Sequence, residues 1–413
     1  MKVLYICEEY PPGKNGGIGT MVQLLAREMA RQGHSVFVMG LYPHGYGSAG
    51  YEEDGGVRIW RLRYLTDLPI FRRAGPRLQK RMLQILKYSM ILQLDTWFSV
   101  RKLFRRIRRL VEDEHIELIE MPDWNTFFQN SFLRIRVPFL GAPLMIKFHG
   151  SYSYFRREMG QSVRRYVFAS ERALLHRAEA LSAVSRYTAA RTAALFGLNT
   201  PIEILYNSIK LPDLQYPVLK VSGKVIFTGS LIFKKGIYSL LRAWNDVARE
   251  FPDAFLDVYG KGDVESLRRL VDPDVTASVR FHGHVSREVL FSELATAVMA
   301  VFPSYAECFA FAPMEAMAAG CAVINSDRTS GPELITDGVN GLLVDPDKTD
   351  QISQAIARLL NDPKLRDTLA MAGKSTIESK FDIRQSVSEH ICFYNKVILE
   401  FAASQTRRYL NIP

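Results

Sequence analysis

The chain has 413 residues, 47% of them hydrophobic, with a formal net charge of +10, enough apolar material for two ordinary cores. Four scattered cysteines, Cys7, Cys308, Cys321 and Cys392, show no metal-ligand spacing, exclude a disulfide scaffold and suit a reducing compartment. No apolar run approaches the ~20 residues of a membrane span, which excludes an integral helical membrane protein.

Residues 2–7 read as a buried strand and not as a secretion leader, so a cytoplasmic protein is expected. A glycine-rich loop over 11–20 leads into a helix over 21–31, with Gly33 suited to the position just past its end, and a strand over 35–39 follows. Between Val57 and Val111 stand fifteen arginines and lysines against only Asp67 and Asp95, an asymmetry that asks for an anionic partner. Within it, 76–112 reads as a basic helical region in which Leu78, Met82, Ile85, Leu86, Met90 and Leu92 stripe past Lys80, Arg81 and Lys87. Such a helix can lie on an anionic membrane. Nucleic acid is not expected, because no binding motif or aromatic platform accompanies the charge. Strands are predicted near 116–121, 144–148, 181–184 and 202–206, with a helix over 163–178. Residues 207–222 carry Pro212 and Pro217 without periodicity and read as a linker.

The same grammar restarts after the linker. Strands are predicted at 224–228, 254–259, 279–281, 297–304, 321–325 and 341–344. Helices are predicted at 238–250, 264–271, 287–293, 349–361, 363–379 and 383–409. The pattern is α/β throughout, with two doubly wound halves: a first domain over 1–206, a second over 223–382 and a terminal helix over 383–413.

The densest chemistry lies in Glu307-Cys308-Phe309-Ala310-Phe311-Ala312-Pro313-Met314-Glu315. Two carboxylates frame a small-residue turn between a buried strand and a helix, at the carboxyl edge of a sheet where open α/β folds bind ligands. Unpaired amides and the helix dipole there favour a phosphate, and the carboxylates can accept from sugar hydroxyls. Thr228-Gly229-Ser230-Leu231-Ile232-Phe233-Lys234-Lys235-Gly236 follows the first strand of the second half and offers Lys235 to an anion. Gly16, Gly17 and Gly19 do not form a dinucleotide fingerprint, since Val22 replaces the third glycine and the second strand ends in Met39-Gly40-Leu41 instead of an acid. His149 ends a buried strand. Asp345 and Asp347 read as a cap for the following helix, so no metal site is expected.

The 307–320 segment resembles the donor site of the family-4 glycosyltransferases, with Ala310 and Ala322 in place of a glycine and a proline. The resemblance covers the second half strongly and the first half weakly. It implies the GT-B fold, two Rossmann-like domains facing a cleft, with the final helix returning to the first domain. It implies a retaining, metal-independent transferase that moves a hexose-type sugar from a nucleoside diphosphate to a glycan or lipid-linked acceptor, as in polysaccharide or glycoconjugate synthesis. No cofactor is implied. Glu307, His149 and Lys235 become the catalytic candidates. Gly16, Gly17, Ser230, Lys235, His284, Glu307, Phe309, Ala310, Phe311, Ala312 and Glu315 become the donor-binding candidates, Glu315 for the ribose and Lys235 with the 309–312 amides for the diphosphate. Ser230 stands where many members carry arginine, and Glu333 is expected to be structural. The rival readings are a nucleotide-sugar epimerase of the same fold and a non-catalytic basic membrane scaffold. Acceptor-dependent release of nucleoside diphosphate separates the first rival, and failure to bind any nucleotide sugar would favour the second.

Overall fold

The computed structural model describes residues 1–13, 16–42, 49–64, 90–133, 135–212 and 218–409. It divides into two compact units: Met1–Val184 with Thr188–Leu205 and Val387–Pro413, and Ser185–Tyr187 with Tyr206–Ser386. Leu78, Met82, Ile85 and Leu86 of the expected membrane stripe and the cations Arg72, Arg73, Arg77, Lys80, Arg81 and Lys87 lie outside the described residues.

The first unit is built on eight strands: β1 (Lys2–Ile6), β2 (Ser35–Tyr42), β3 (Tyr51–Asp54), β4 (Val57–Arg63), β5 (Leu118–Pro122), β6 (Leu144–Phe148), β7 (Ala180–Ala183) and β8 (Ile202–Ile204). Their order is β3-β4-β2-β1-β5-β6-β7-β8, parallel except for the β3–β4 pair. Its helices are α1 (Gly17–Arg31), α2 (Met90–Glu114), α3 (Thr126–Asn130), α4 (Tyr152–Glu158), α5 (Arg165–Leu175) and α6 (Arg186–Phe196). Helix α1 starts a turn earlier than its periodicity suggests. It ends as expected on Gly33 at φ +86°, with the Gly33 amide on Ala30 O and the His34 amide on Met29 O. That is the Schellman closure, which satisfies carbonyls the helix end would orphan.

The β3–β4 hairpin was not expected. Residues 57–63 alternate apolar and polar side chains, the period of a half-buried strand, but their arginines read as a charge run. Part of that charge is internal. Arg61 has a fully buried side chain, with Nη1 on Glu52 at 2.7 Å and Nη2 on the Pro11 carbonyl at 2.7 Å. Arg58 meets Glu114 at 2.8 Å. These two arginines therefore leave the set available to an anionic partner.

The second unit holds β9 (Lys224–Thr228), β10 (Phe255–Tyr259), β11 (Val279–Gly283), β12 (Met299–Phe302), β13 (Ala322–Ser326) and β14 (Leu342–Val344). Its helices are α7 (Ile237–Glu250), α8 (Val264–Arg268), α9 (Arg287–Thr296), α10 (Phe311–Ala318), α11 (Gly331–Leu334), α12 (Thr349–Asn361), α13 (Pro363–Lys380) and the start of α14 (Ile383–Tyr409). The sheet is fully parallel in the order β11-β10-β9-β12-β13-β14, which is the doubly wound pattern. Its strands are apolar runs because helices cover both faces. Trp244 of α7 is fully buried in the core with its indole N–H on Ser278 Oγ at 2.9 Å. Asp345 and Asp347 do not cap α12 as expected. Both accept from Arg328, and Lys348 stands at the N-cap of the helix without a side-chain bond. The charged guanidinium draws both carboxylates, and the one amide that Asp345 Oδ1 also accepts, from Asp347 at 3.1 Å, lies ahead of the helix.

From Val387 onward α14 belongs to the first unit. It is anchored there by polar groups inside the core. Tyr394 donates to Glu120 Oε2 at 2.5 Å and lies 3.1 Å from the Tyr5 hydroxyl, and His390 Nε2 lies 2.7 Å from Lys147 Nζ. Tyr5 and Glu120 are register partners on β1 and β5. Burial lowers the Lys147 ammonium to about 8 while Glu120 opposes that fall, and burial raises the Glu120 carboxyl against the pull of Lys147 and Tyr394. Each member is tolerable only because the others satisfy it. Tyr394→Phe should therefore cost about 1–3 kcal/mol by stranding a buried acceptor. Chemical denaturation followed by tryptophan fluorescence checks this, and an unchanged midpoint would contradict the network.

Candidate functional site

The strand order of the second sheet reverses between β9 and β12, and a doubly wound sheet opens its ligand crevice at the carboxyl ends of such strands. The loop after β9 carries Gly229, an exposed Ser230 and a single 3₁₀ turn, Phe233–Lys235. The loop after β12 carries residues 303–310. Gly236 joins the 3₁₀ turn to α7 at φ +72°, and a Cβ on it would stand 1.8 Å from the Pro303 carbonyl oxygen, so only glycine lets the loops approach.

Across that approach Lys235 Nζ and Glu307 Oε1 form an ion pair. Burial opposes the charge on Glu307, but Lys235 and then Lys234 outweigh it and hold the carboxyl below its ordinary value. Burial depresses the neighbouring Lys234 ammonium, with Glu307 opposing. The Glu307 amide donates to Thr329 Oγ1 at 3.3 Å, and Thr329 sits in the left-handed region at φ +55°. Such strain in a threonine persists only where its surroundings impose it. A recess lined by Ser304, Glu307, Ala310, Arg328, Thr329 and Ser330 adjoins this loop.

Tyr305, which the sequence did not single out, ties the pieces together. Its amide donates to Lys234 O at 2.8 Å and its ring stacks on Phe233 at 4.6 Å. Its hydroxyl lies 3.0 Å from Ser239 Oγ and donates to Pro346 O at 3.1 Å. The Arg328 guanidinium stands 5.5 Å from its ring centre. Its only sequence signal is an aromatic residue two positions before a loop carboxylate.

Helix α10 begins at Phe311. Ala310 caps it at φ −79° and ψ 140°, a conformation open to any residue, so alanine in place of glycine costs no strain there. The amides of Ala310, Phe311 and Ala312 belong to the helix start, where intrahelical partners are lacking. Phe309 is a packing residue. Its ring lies 4.9 Å from Tyr206 and 5.3 Å from Phe381, and its carbonyl accepts from Asn207 Nδ2 at 2.8 Å. Glu315, on the same helix, forms a 2.9 Å ion pair with Arg287 at the start of α9. Burial raises its carboxyl and Arg287 opposes. His284 is exposed between β11 and α9. Glu333 accepts from the amides of Arg186 and Tyr187 at 2.8 Å each and from the Tyr206 hydroxyl at 3.0 Å, a structural role.

In the first unit the order reverses between β1 and β5. Gly16 caps α1 and its amide donates to Glu9 Oε2 at 3.1 Å, while Gly17 opens the helix. Gly19 abuts the Glu9 carbonyl, where a Cβ would stand 2.0 Å from the oxygen. His149 follows β6, is buried, and donates its amide to Asp123 Oδ1 at 2.8 Å. Burial, with Lys147 second, holds its imidazole well below the usual histidine range, so it stays neutral.

Two carboxylates missed in the sequence follow β1 and β5, the two strands that precede β6 in the sheet order. Glu8 follows β1 and accepts from the Thr126 amide at 2.9 Å and hydroxyl at 2.6 Å. Asp123 follows β5. Among the described residues, Glu8 Oε1, Asp123 Oδ2 and Asn125 Oδ1 are buried with no hydrogen-bond partner. Burial pushes both carboxyls up to about 7. An acid after a strand end was the available signal, but only the burial marks it as unusual. Folded Asp123 keeps its proton between about 3.8 and 7 while the unfolded chain has lost it. The folded state binds the extra proton, so stability falls as pH rises through this window and levels off above about 7. Asp123→Asn should remove that slope, so denaturation midpoints should favour the variant more at pH 8 than at pH 5. Parallel pH profiles for the two proteins would contradict the assignment.

The family model for glycosyl transferases group 1 matches residues 222–362, and that for the glycosyl transferase 4-like domain matches residues 16–208. An uncharacterized glycosyltransferase of Methanocaldococcus jannaschii is 26% identical over 429 residues, covering 97% of this chain and 99% of its own. Sucrose-phosphate synthase from Thermosynechococcus elongatus shares the fold with a TM-score of 0.75 at 20% identity, covering 97% of this chain and 99% of that one. Anabaena HepE in complex with UDP-glucose aligns with a TM-score of 0.67 at 16% identity, covering 95% and 99%. Two parallel Rossmann-like sheets, a last helix returning to the first unit and two family models that together span most of the chain agree: this is a GT-B protein, and it belongs to the group 1 glycosyltransferases.

Proposed function

We propose that the chain transfers a hexose-type sugar, with retention, from a nucleoside diphosphate to a glycan or lipid-linked acceptor. The observation that carries this reading is the Lys235–Glu307 pair at the switch point of the second sheet. A bound diphosphate would draw the Lys235 ammonium onto its oxygens, where negative charge grows as the glycosidic bond breaks. Glu307, held ionised by two lysines, would then accept from hydroxyls of the sugar and orient it. The amides at the start of α10 add a dipole suited to phosphate. Glu315 would share its carboxylate between Arg287 and the ribose. That HepE holds UDP-glucose on the same fold supports a donor of this class.

In the first unit, neutral His149 and the half-satisfied acids Glu8 and Asp123 would take the hydroxyl-bearing groups. Uncharged acids can donate as well as accept, which suits polyols more than phosphates. Positive side chains and amides supply the charge compensation in this reading, so the reaction needs no divalent ion. We place the enzyme in the cytoplasm, serving polysaccharide or glycoconjugate synthesis.

Glu307→Gln should retain nucleoside diphosphate affinity by calorimetry while turnover falls, and the reverse pattern would overturn the sugar-orienting role. Lys235→Ala should lower kcat/KM by about 100-fold or more. It should also shift the acidic limb of the pH–rate profile upward, because the Glu307 carboxyl loses its main counter-charge. Chelator should leave acceptor-dependent release of nucleoside diphosphate unchanged. Loss of activity restored by Mg²⁺ or Mn²⁺ would refute the metal-free mechanism.

A further inference from the structure

Helix α2 turns one face inward, where Val100, Leu103, Phe104, Ile107 and Val111 join the core of the first unit. Its outer face is unusual for a surface helix. Met90, Leu94 and Phe98, at spacing i, i+4 and i+8, form one row and are 52%, 42% and 49% exposed. Phe132, 49% exposed, is tied to the same helix, its amide donating to Gln93 Oε1 of α2 at 2.8 Å. Single exposed apolar residues are ordinary, but three in one row of a helix are not. Toward the carboxyl end the exposed face becomes basic, with Arg101, Lys102, Arg105, Arg106, Arg108 and Arg109. Among the described residues no carboxylate pairs with any of these six. Arg101 lies over the Trp97 ring at 4.3 Å, and Arg108 donates to the Phe139 carbonyl at 2.7 Å.

We propose that this outer face of α2 docks on an anionic lipid surface, with Met90, Leu94 and Phe98 entering the headgroup boundary and Lys102, Arg105, Arg106 and Arg109 meeting the phosphates. The proposal is independent of the donor-site reading. Charge complementarity selects an anion, and the apolar row selects a lipid over a nucleic acid, whose phosphates need no apolar insertion. A second copy of the chain fits poorly. A stable interface hides about 800 Å² per partner, more than three half-exposed side chains offer, and six like charges would face their own image. No described helix is long and apolar enough to cross a membrane, so the contact is peripheral.

The test is co-sedimentation of the full chain with vesicles of phosphatidylglycerol and phosphatidylcholine in equal parts, beside phosphatidylcholine alone. It is run at about 0.01 M and about 1 M salt, where screening lengths are roughly 30 and 3 Å. Wild type should pellet with the anionic vesicles at low salt and be released at high salt. Changing Lys102, Arg105, Arg106 and Arg109 to Gln should weaken partitioning by about 10-fold or more at low salt. Leu94→Ser with Phe98→Ser should weaken it by about 10-fold while leaving the salt dependence in place. Thermal melts should match wild type, since all six positions are exposed. Four outcomes overturn the proposal: wild type left in the supernatant at low salt, α2 variants that bind as wild type does, pelleting without lipid, or capture by polyphosphate but not by vesicles.

Discussion

An ion pair between Lys235 and Glu307 closes the second unit at the point where its strand order reverses. A largely buried carboxylate at a strand edge is costly unless a cation meets it. That demand fixes the surrounding backbone. The 3₁₀ turn must bring Lys235 to the β12 loop, which requires Gly236 against Pro303. The β12 loop must hold Glu307 in place, which Thr329 does from a strained conformation. Tyr305 then binds both loops to Pro346 and Ser239. Removing any one of these supports loosens the position of the charge and not only the local packing.

The two switch points have opposite electrostatics. In the second unit the acid is compensated and ionised, and two lysines and a helix start stand nearby. In the first unit no cation among the described residues pairs with the acids at the ends of β1 and β5, and burial pushes them toward neutrality. A diphosphate requires fixed positive charge, whereas an uncharged polyol requires donors and acceptors without net charge. One fold therefore presents chemically different surfaces on its two halves, although both use the carboxyl ends of parallel strands.

The basic excess of the first half likewise separates into two populations. Arg58 and Arg61 are absorbed by Glu114 and Glu52, where they join helix and hairpin to the sheet. The cations of α2 stay exposed, and they share that face with an apolar row. A count of charges along the chain does not distinguish a buried guanidinium from a free one.

The parallel strands were legible because burial on both faces demands continuous apolar runs, as in residues 225–227, 299–302 and 322–324. The donor loop was legible because Glu307, the small turn and Lys235 carry their chemistry within short segments adjoining those strands. The β3–β4 hairpin was not, since its alternation was masked by arginines whose partners are remote or lie on a neighbouring strand. Nor were Glu8, Asp123, Tyr305, Thr329 or Arg287. Each is an ordinary residue in sequence and gains its role from a partner or a burial that arises only when distant strand ends are brought together. Local apolar period and turn chemistry thus determined the elements and the family of the fold. Long-range approach alone decided which carboxylates are charged, which arginines are free and which backbone is strained, because these depend on desolvation and on neighbours far along the chain.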